Sequence, residues 1–180
     1  MYLRYKKKDK ERTKEMRTDM PGWVNPAMKV IKTTDLDLYN RMEKCDWEIK
    51  VIATPEDLEY ILVNDGPAEY MSLLGDMASS FGVTDTAPDG QGRKDQRNTT
   101  WINKPDTIHA AENAGIPLPE FLAFILVHEF NHREFHSEEI PAFAAGERFA
   151  EKLRSPELVE INAQIRESEV GDPYYDPEGL

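Results

Sequence analysis

Two histidines and a glutamate in residues 128–132 have the types and the spacing of a metal site with its own base. His128 and His132 lie four positions apart in the segment His-Glu-Phe-Asn-His. Residues four apart share one face of a helix, so both imidazoles can point at one metal ion. Glu129 is rotated by about 100° from His128 and flanks that ion without binding it. This HExxH arrangement is typical of two zinc ligands and a general base for a metal-bound water.

The surrounding helix distinguishes this chemistry from a chance match. On an exposed helix, the same string would be a set of ordinary solvated side chains. Here it directly follows an unbroken apolar run, residues 121–127. A helix that is apolar on all sides is typically buried, and polar groups are costly to bury without partners. Because a bound metal supplies such partners, we favour the metal site.

A third ligand must come from elsewhere, because catalytic zinc usually takes three protein ligands and leaves a fourth position for water. The acidic or imidazole side chains that follow the motif are Glu134, His136, Glu138 and Glu139. In a continuous helix, His136 would lie about 12 Å beyond His128, too far for zinc bonds of about 2 Å. His136 is therefore a second choice that requires a bend in the chain.

The helices that position these residues are predicted from the spacing of apolar residues and from the prolines and capping residues at their ends. Pro117 and Pro119 bracket the start of a helix over residues 118–132. A second helix starts at 137–141, with an inner stripe of small and apolar residues, and a third runs from Ser155-Pro156 to about residue 168. The inner stripe consists of Ala142, Ala145, Phe149 and Leu153.

The upstream half predicts a small sheet with short helices. Residues 47–51 alternate apolar and polar, and residues 99–103 are β-branched and aromatic, so both are predicted strands. Helices are predicted over 35–44, 54–63, 68–81 with Gly82 as the stop, and 107–114 with Gly115 as the stop. Residues 23–33 are predicted as an extended segment and 83–98 as a long loop. The fold class is therefore α+β.

Composition excludes several other classes of protein. The chain has 180 residues and a net charge of −12. Residues 1–20 hold eight Lys or Arg and four Asp or Glu, so the remainder carries −16. An acidic body argues against a nucleic-acid-binding domain, although the basic arm, with Lys6, Lys7 and Lys8, could contact nucleic acid or an acidic partner. We favour a solvated arm.

Domain organisation and location follow from the same composition. We expect a basic flexible tail over 1–22, one domain over 23–170 and an acidic tail over 171–180. The longest apolar run is too short to cross a membrane, and no signal-peptide pattern is present. The single cysteine, Cys45, is compatible with a reducing compartment. These features predict a cytoplasmic protein.

The motif and the segment after it resemble the zincin metallopeptidases, specifically their gluzincin branch. In those proteins the third ligand is a Glu within a Glu-x-x-Ala pattern on the next helix, which Glu139-Ile-Pro-Ala142 matches. The metzincin branch expects Gly and His where this chain has Phe135 and Glu138. One departure from the gluzincin branch is Phe143, where related families often carry an Asp or Asn that supports a zinc histidine.

The resemblance implies a ligand set and a minimal zincin-like domain, with a small twisted sheet packed on the motif helix. Zinc would be held by His128, His132 and Glu139, and Glu129 would be the base. Ser137 can cap the second helix and place Glu139 in its first turn, whereas Glu138 is rotated by about 100°. Residues 99–103 would form the edge strand that binds an extended substrate.

The expected function is therefore a zinc metallopeptidase acting on a protein or peptide. His109 is a conceivable stabiliser of the oxyanion. The alternative is a non-catalytic zincin-like module with a structural or regulatory role, but a purely structural site has no use for the base Glu129. A small acidic protein with this motif is compatible with a bacterial or phage origin.

Overall fold

The computed structural model describes residues 22–45, 47–54, 56–57, 59, 81–84, 99–135 and 139–170. Within these ranges, helix α1 covers 22–34 and α2 covers Leu36–Lys44. The strands are β1 (Glu48–Ile52), β2 (Gly82–Thr84) and β3 (Thr99–Asn103). Four helices follow: α3 (Lys104–Ala114), α4 (Leu118–Phe135), α5 (Glu139–Leu153) and α6 (Pro156–Val170). The predicted α+β class is confirmed.

Several predictions concern residues outside these ranges. They are the tails at 1–21 and 171–180, the helix at 68–80, most of the helix at 54–63, the loop beyond residue 84, and the cap Ser137. In the described part of the chain, no helix is long and apolar enough to cross a membrane.

Helix α4 is the centre of the core. The helix begins directly after Pro117, whose carbonyl accepts hydrogen bonds from the N–H groups of Glu120 and Phe121 in its first turn. Residues 121–127 are all buried, and α4 packs against α3, α5 and β2. Each large apolar side chain buried in this way contributes about 1.5 to 3 kcal/mol. The predicted buried helix over 118–132 is confirmed and extends to Phe135.

The sheet has the order β1-β3-β2, with β3 parallel to β1 and antiparallel to β2. Both predicted strands, 47–51 and 99–103, are confirmed within a residue or two. The prediction that residues 99–103 form an edge strand is wrong. Since β3 is paired on both sides, its backbone groups are already used in the sheet.

Strand β2 corrects a second prediction. Gly82 was expected to stop a helix and residues 83–98 to form a loop, but Gly82 begins β2. The reason is that three residues are too few to show a period of two, so the sequence carries no strand signal there. Pairing with β3 supplies what the local sequence lacks.

Helix α1 corrects a third prediction. Residues 23–33 were expected to be extended, but they are helical. Val24, Ala27 and Ile31 are buried at spacings of three and four residues, which is the periodicity of one helical face. Their contacts with the core therefore decide the conformation.

Small residues allow α5 to pack closely on α4 and α6. A Cβ atom on Gly146 would lie 2.8 Å from Phe124 Cε2 and 3.0 Å from Asn162 Oδ1. The Asn162 side chain donates a hydrogen bond of 3.1 Å to the Phe143 carbonyl. These contacts fix the position of α5, and therefore of its first residue, relative to α4.

Asp35 links the start of α2 to the end of α5. It is the N-cap of α2, and its Oδ1 accepts the Leu38 N–H at 3.0 Å. Its other oxygen pairs with Lys152. Partial burial acts to raise the pKa of Asp35, but the hydrogen bonds from Lys152 and Leu38 outweigh it and leave this pKa below its ordinary value.

Two substitutions at Asp35 separate the cap from the ion pair. We expect Asp35→Ala to lower the free energy of unfolding by about 1 to 2 kcal/mol, because alanine does not cap a helix. Asp35→Asn should cost less, because the asparagine side chain can accept the same Leu38 N–H. Urea unfolding followed by circular dichroism measures both. Equal losses would show that the cap contributes nothing.

The comparison of wild type with Asp35→Asn also tests how the contribution of Asp35 to stability depends on pH. Since the folded-state pKa of Asp35 is lowered, its charge stabilises the fold above about pH 4. That stabilisation is lost as pH falls through the folded-state value. The stability difference between wild type and Asp35→Asn should therefore stay constant above about pH 5 and shrink as pH falls below about pH 4. A difference that stays constant at acidic pH as well would contradict this contribution.

Candidate metal centre

His128 and His132 share one face of α4, one turn apart. Their Nε2 atoms are 3.1 Å apart, and their ring centroids are separated by 4.8 Å. Both side chains are largely buried, with 14% and 8% of their surface exposed. The regular helix over Leu118–Phe135 thus directs the two ring nitrogens to one point.

Glu139, the first residue of α5, closes the third side of this cluster. Its Oε2 lies 3.2 Å from His128 Nε2, and its Oε1 lies 3.5 Å from His132 Nε2. Among the described residues, these three form the one group of His, Cys, Asp and Glu whose ligand atoms converge closely enough for a metal ion. The buried Ala142, one turn further along α5, leaves room for α5 to approach α4.

The spacing and the charge of the cluster fit a zinc ion. Tetrahedral zinc with bonds of about 2.0 to 2.2 Å separates its ligand atoms by about 3.3 to 3.6 Å. The two imidazole nitrogens lie 3.1 Å apart, and they lie 3.2 and 3.5 Å from different oxygens of Glu139. With one ligand atom taken from each residue, the three atoms lie within 4.8 Å of one another, which small side-chain movements can bring to that spacing. Hydrogen bonds from His128 and His132 hold the pKa of Glu139 well below its usual range. Glu139 is therefore ionised, the form in which a carboxylate binds a metal.

The cluster is open to solvent on the side of Glu139. That side chain is 50% exposed, in contrast to the two histidines. A structural zinc site is usually closed by four protein ligands, whereas a catalytic one keeps a position for water or substrate. Three protein ligands with one accessible side match the second pattern.

Phe143 holds the plane of the His128 ring. The two rings meet edge to face, with centroids 4.7 Å apart and planes inclined by 67°. The sequence analysis identifies Phe143 only as a departure from the gluzincin pattern. In this structure its ring packs against one side of the His128 ring and limits the orientation of that ring.

Glu129 is rotated from His128 around α4 by about 100°, toward the sheet. It is 5% exposed, and its Oε2 accepts a hydrogen bond of 2.6 Å from Thr84 Oγ1. Burial raises the pKa of Glu129, and the nearby His128 and the Thr84 hydrogen bond only partly oppose this. A Cβ atom on Gly82 would come within 2.9 Å of Oε1, so glycine leaves space for this carboxylate.

The remaining candidates do not join the cluster or cannot be placed. His109 is exposed on α3, and its Nε2 shares a hydrogen bond with Asn113. Glu134 pairs with Arg41 of α2. His136 and Glu138 lie outside the described residues, so the preference for Glu139 over these two alternatives stays a prediction.

Sequence reasoning missed the surroundings of Glu129. Gly82 and Thr84 were assigned to a helix stop and a loop, and Thr100 and Trp47 were treated only as strand residues. Their meeting depends on the register of β2 against β3. A three-residue strand does not encode that register in its own pattern.

Comparison with known proteins adds nothing to these observations, since no family model, no curated protein and no solved structure matches the chain. The interpretation of the site therefore rests on its residues and their geometry.

Zinc content tests the metal centre directly. We expect the wild-type protein to bind about one zinc ion per chain, and His132→Ala to lose it. His109→Ala is the matched control, because it removes a histidine that is not in the cluster and should leave zinc binding intact. Elemental analysis after dialysis, with chelator competition for affinity, gives the answer. A wild-type protein that takes up no zinc, or equal loss in both variants, would contradict the site.

The third ligand is tested by a pair of neighbouring acids. Glu139→Ala should lose most of the zinc affinity, because it removes a ligand atom close to both histidines. Glu138→Ala should lose little, since one residue is a rotation of about 100° along a helix. For the wild type, zinc affinity should fall as pH is lowered, because metal binding requires unprotonated imidazole ligands. A reversed order of the two variants would show that Glu138 is the ligand.

Proposed function

We propose that this protein is a zinc-dependent peptidase with a zincin-like arrangement. The observation that carries the proposal is a buried carboxylate, Glu129, beside a convergent metal-binding group but not part of it. A carboxylate that is neither a ligand nor an ion-pair partner is costly to bury. Its retention at this place is explained if it transfers a proton.

In this proposal, one group of residues binds the metal ion and Glu129 transfers the proton. His128, His132 and Glu139 would hold the ion on the α5 side of α4. A zinc ion held there would supply a coordinated water of lowered pKa and would polarise the scissile carbonyl. Glu129 accepts the proton of the attacking water as its oxygen bonds to the carbonyl carbon. Glu129 then delivers that proton to the amine nitrogen as the carbon–nitrogen bond breaks.

The environment of Glu129 suits both proton transfers. A general base is most effective when its pKa approaches the working pH, and burial shifts the pKa of Glu129 in that direction. The same burial excludes bulk water from one side of the carboxylate. Thr84 supplies a fixed hydrogen bond that limits its orientation.

The sheet supports a protein or peptide as the substrate. Among the described strands, β2 is at an edge of the sheet and packs on α4 beside Glu129. An extended peptide that paired with this edge would pass close to the proposed base. Strand β3, which the sequence suggested for this role, is occupied on both sides.

The test separates hydrolysis from metal binding. Glu129→Gln should keep zinc and fold but reduce hydrolysis by about 100-fold or more, because general base catalysis is lost. Glu134→Gln is the control on the same helix, since Glu134 pairs with Arg41 instead of the cluster. A library of fluorogenic peptides with zinc-loaded protein gives the rates.

Two outcomes would count against the proposal. One is hydrolysis that Glu129→Gln leaves unchanged, which would indicate another catalyst in the sample. The other is a zinc-loaded wild type that never exceeds Glu129→Gln on any peptide. That result would favour the non-catalytic structural or regulatory module.

A further inference from the structure

A chain of hydrogen bonds crosses the sheet and ends on Glu129. Trp47 Nε1 lies 2.8 Å from Thr100 Oγ1. Thr100 Oγ1 lies 2.6 Å from Thr84 Oγ1, and Thr84 Oγ1 lies 2.6 Å from Glu129 Oε2. Thr84 Oγ1 also makes a longer contact of 3.4 Å to the Glu129 carbonyl. The chain thus joins Trp47, the residue directly before β1, to one residue each of β3, β2 and α4.

The two ends of the chain fix its direction. An indole N–H can only donate, and an ionised carboxylate can only accept. Each threonine hydroxyl between them has one proton to give. Thr84 gives its proton to Glu129, so Thr100 must give its proton to Thr84 and accept from Trp47. Every hydroxyl then accepts one bond and donates one bond, and such chains strengthen each bond in turn.

The fold provides each member with a fixed position. Thr84 and Thr100 are direct cross-strand partners in the antiparallel pair, so their side chains lie on the same face. Thr100 is fully buried. The Trp47 ring packs against Phe130 of α4, with centroids 5.3 Å apart. A valine could fill a buried strand position without burying a hydroxyl group, which costs free energy unless it is hydrogen-bonded. Packing alone therefore does not explain why both positions carry a threonine.

We propose that Thr84 is a positioning residue for the general base, acting as the last donor of a one-way chain that begins at Trp47. Its hydroxyl occupies Oε2 of Glu129 and leaves Oε1 to take and return the proton. Gly82 keeps the space around Oε1 open, because a Cβ atom there would approach it to 2.9 Å. This assignment rests on the proposed function of Glu129.

Activity is the first readout. In zinc-loaded full-length protein, Thr84→Val should lower kcat by about 10- to 100-fold, the usual effect of removing a supporting partner. KM and zinc content should hardly change, since Thr84→Val leaves the β2 backbone that would pair with a peptide unchanged and removes no contact to His128, His132 or Glu139. Thr84→Ser keeps the hydroxyl and should recover most of the rate. The control is Thr107→Val on α3, which removes a buried hydroxyl that donates a hydrogen bond to the Asn103 carbonyl. This substitution should leave kcat unchanged.

The indole proton of Trp47 gives a readout that needs no metal and no substrate. Its N–H resonance, identified by its loss in Trp47→Phe, reports the state of the chain in the metal-free protein. We expect it to move in Thr84→Val and in Glu129→Gln, because each removes or weakens an acceptor further along. Thr107→Val should leave it in place.

The outcomes distinguish this inference from the proposed function. If Thr84→Val keeps full kcat while Glu129→Gln is inactive, the positioning role is wrong and the peptidase proposal stands. If the Trp47 N–H resonance does not move in Glu129→Gln, the hydrogen-bond chain does not couple Trp47 to Glu129, and the inference is wrong. If the wild type hydrolyses no peptide, the positioning role fails together with the proposed function, even where the resonance shows that the chain exists.

Discussion

Residues 121–127 bury helix α4 on every side, yet the two turns that follow carry two histidines and a glutamate. That conflict is the constraint on which the rest of the structure depends. Polar groups at the end of a buried helix must find partners from whatever elements surround it. The rotation of about 100° per residue sends Glu129 toward the sheet and the histidines toward α5. Each group therefore obtains its partners from a different neighbour.

The two sides of α4 are built by different packing interactions. On one side, Gly146 and the Asn162–Phe143 hydrogen bond fix α5 against α4 and α6, which places Glu139 beside the histidines. On the other side, cross-strand pairing of β2 with β3 places Thr84 beside Glu129. Because these supports are separate, a change in one side need not disturb the other. The proposed metal binding and the proposed positioning of the base would therefore be separable in this fold.

The sequence predicts the parts of the structure whose signal is local. Helix α4 is marked by prolines and seven apolar residues, and α3 ends as expected at Gly115, which adopts a left-handed conformation with φ 67°. Parts that depend on distant partners were missed. Residues 23–33 are helical because their apolar face meets the core, and β2 is a strand only because β3 lies beside it. The three side chains of the candidate metal centre could be named because HExxH and Glu-x-x-Ala are short patterns. The chain that ends on Glu129 could not, because it depends on strand register.

The two glutamates of the site differ in a way that assigns their roles. Glu139 is half-exposed, and hydrogen bonds from His128 and His132 hold its pKa well below the usual range. Glu129 is buried, and burial raises its pKa. An ionised carboxylate suits a metal ligand, whereas a carboxylate whose pKa is raised above its ordinary value accepts a proton more readily, as a general base must. Neighbouring carboxyl groups whose environments move their pKa values apart are the usual sign of divided catalytic roles. The fold achieves this division with two acids on consecutive helices, one facing solvent and one facing the sheet.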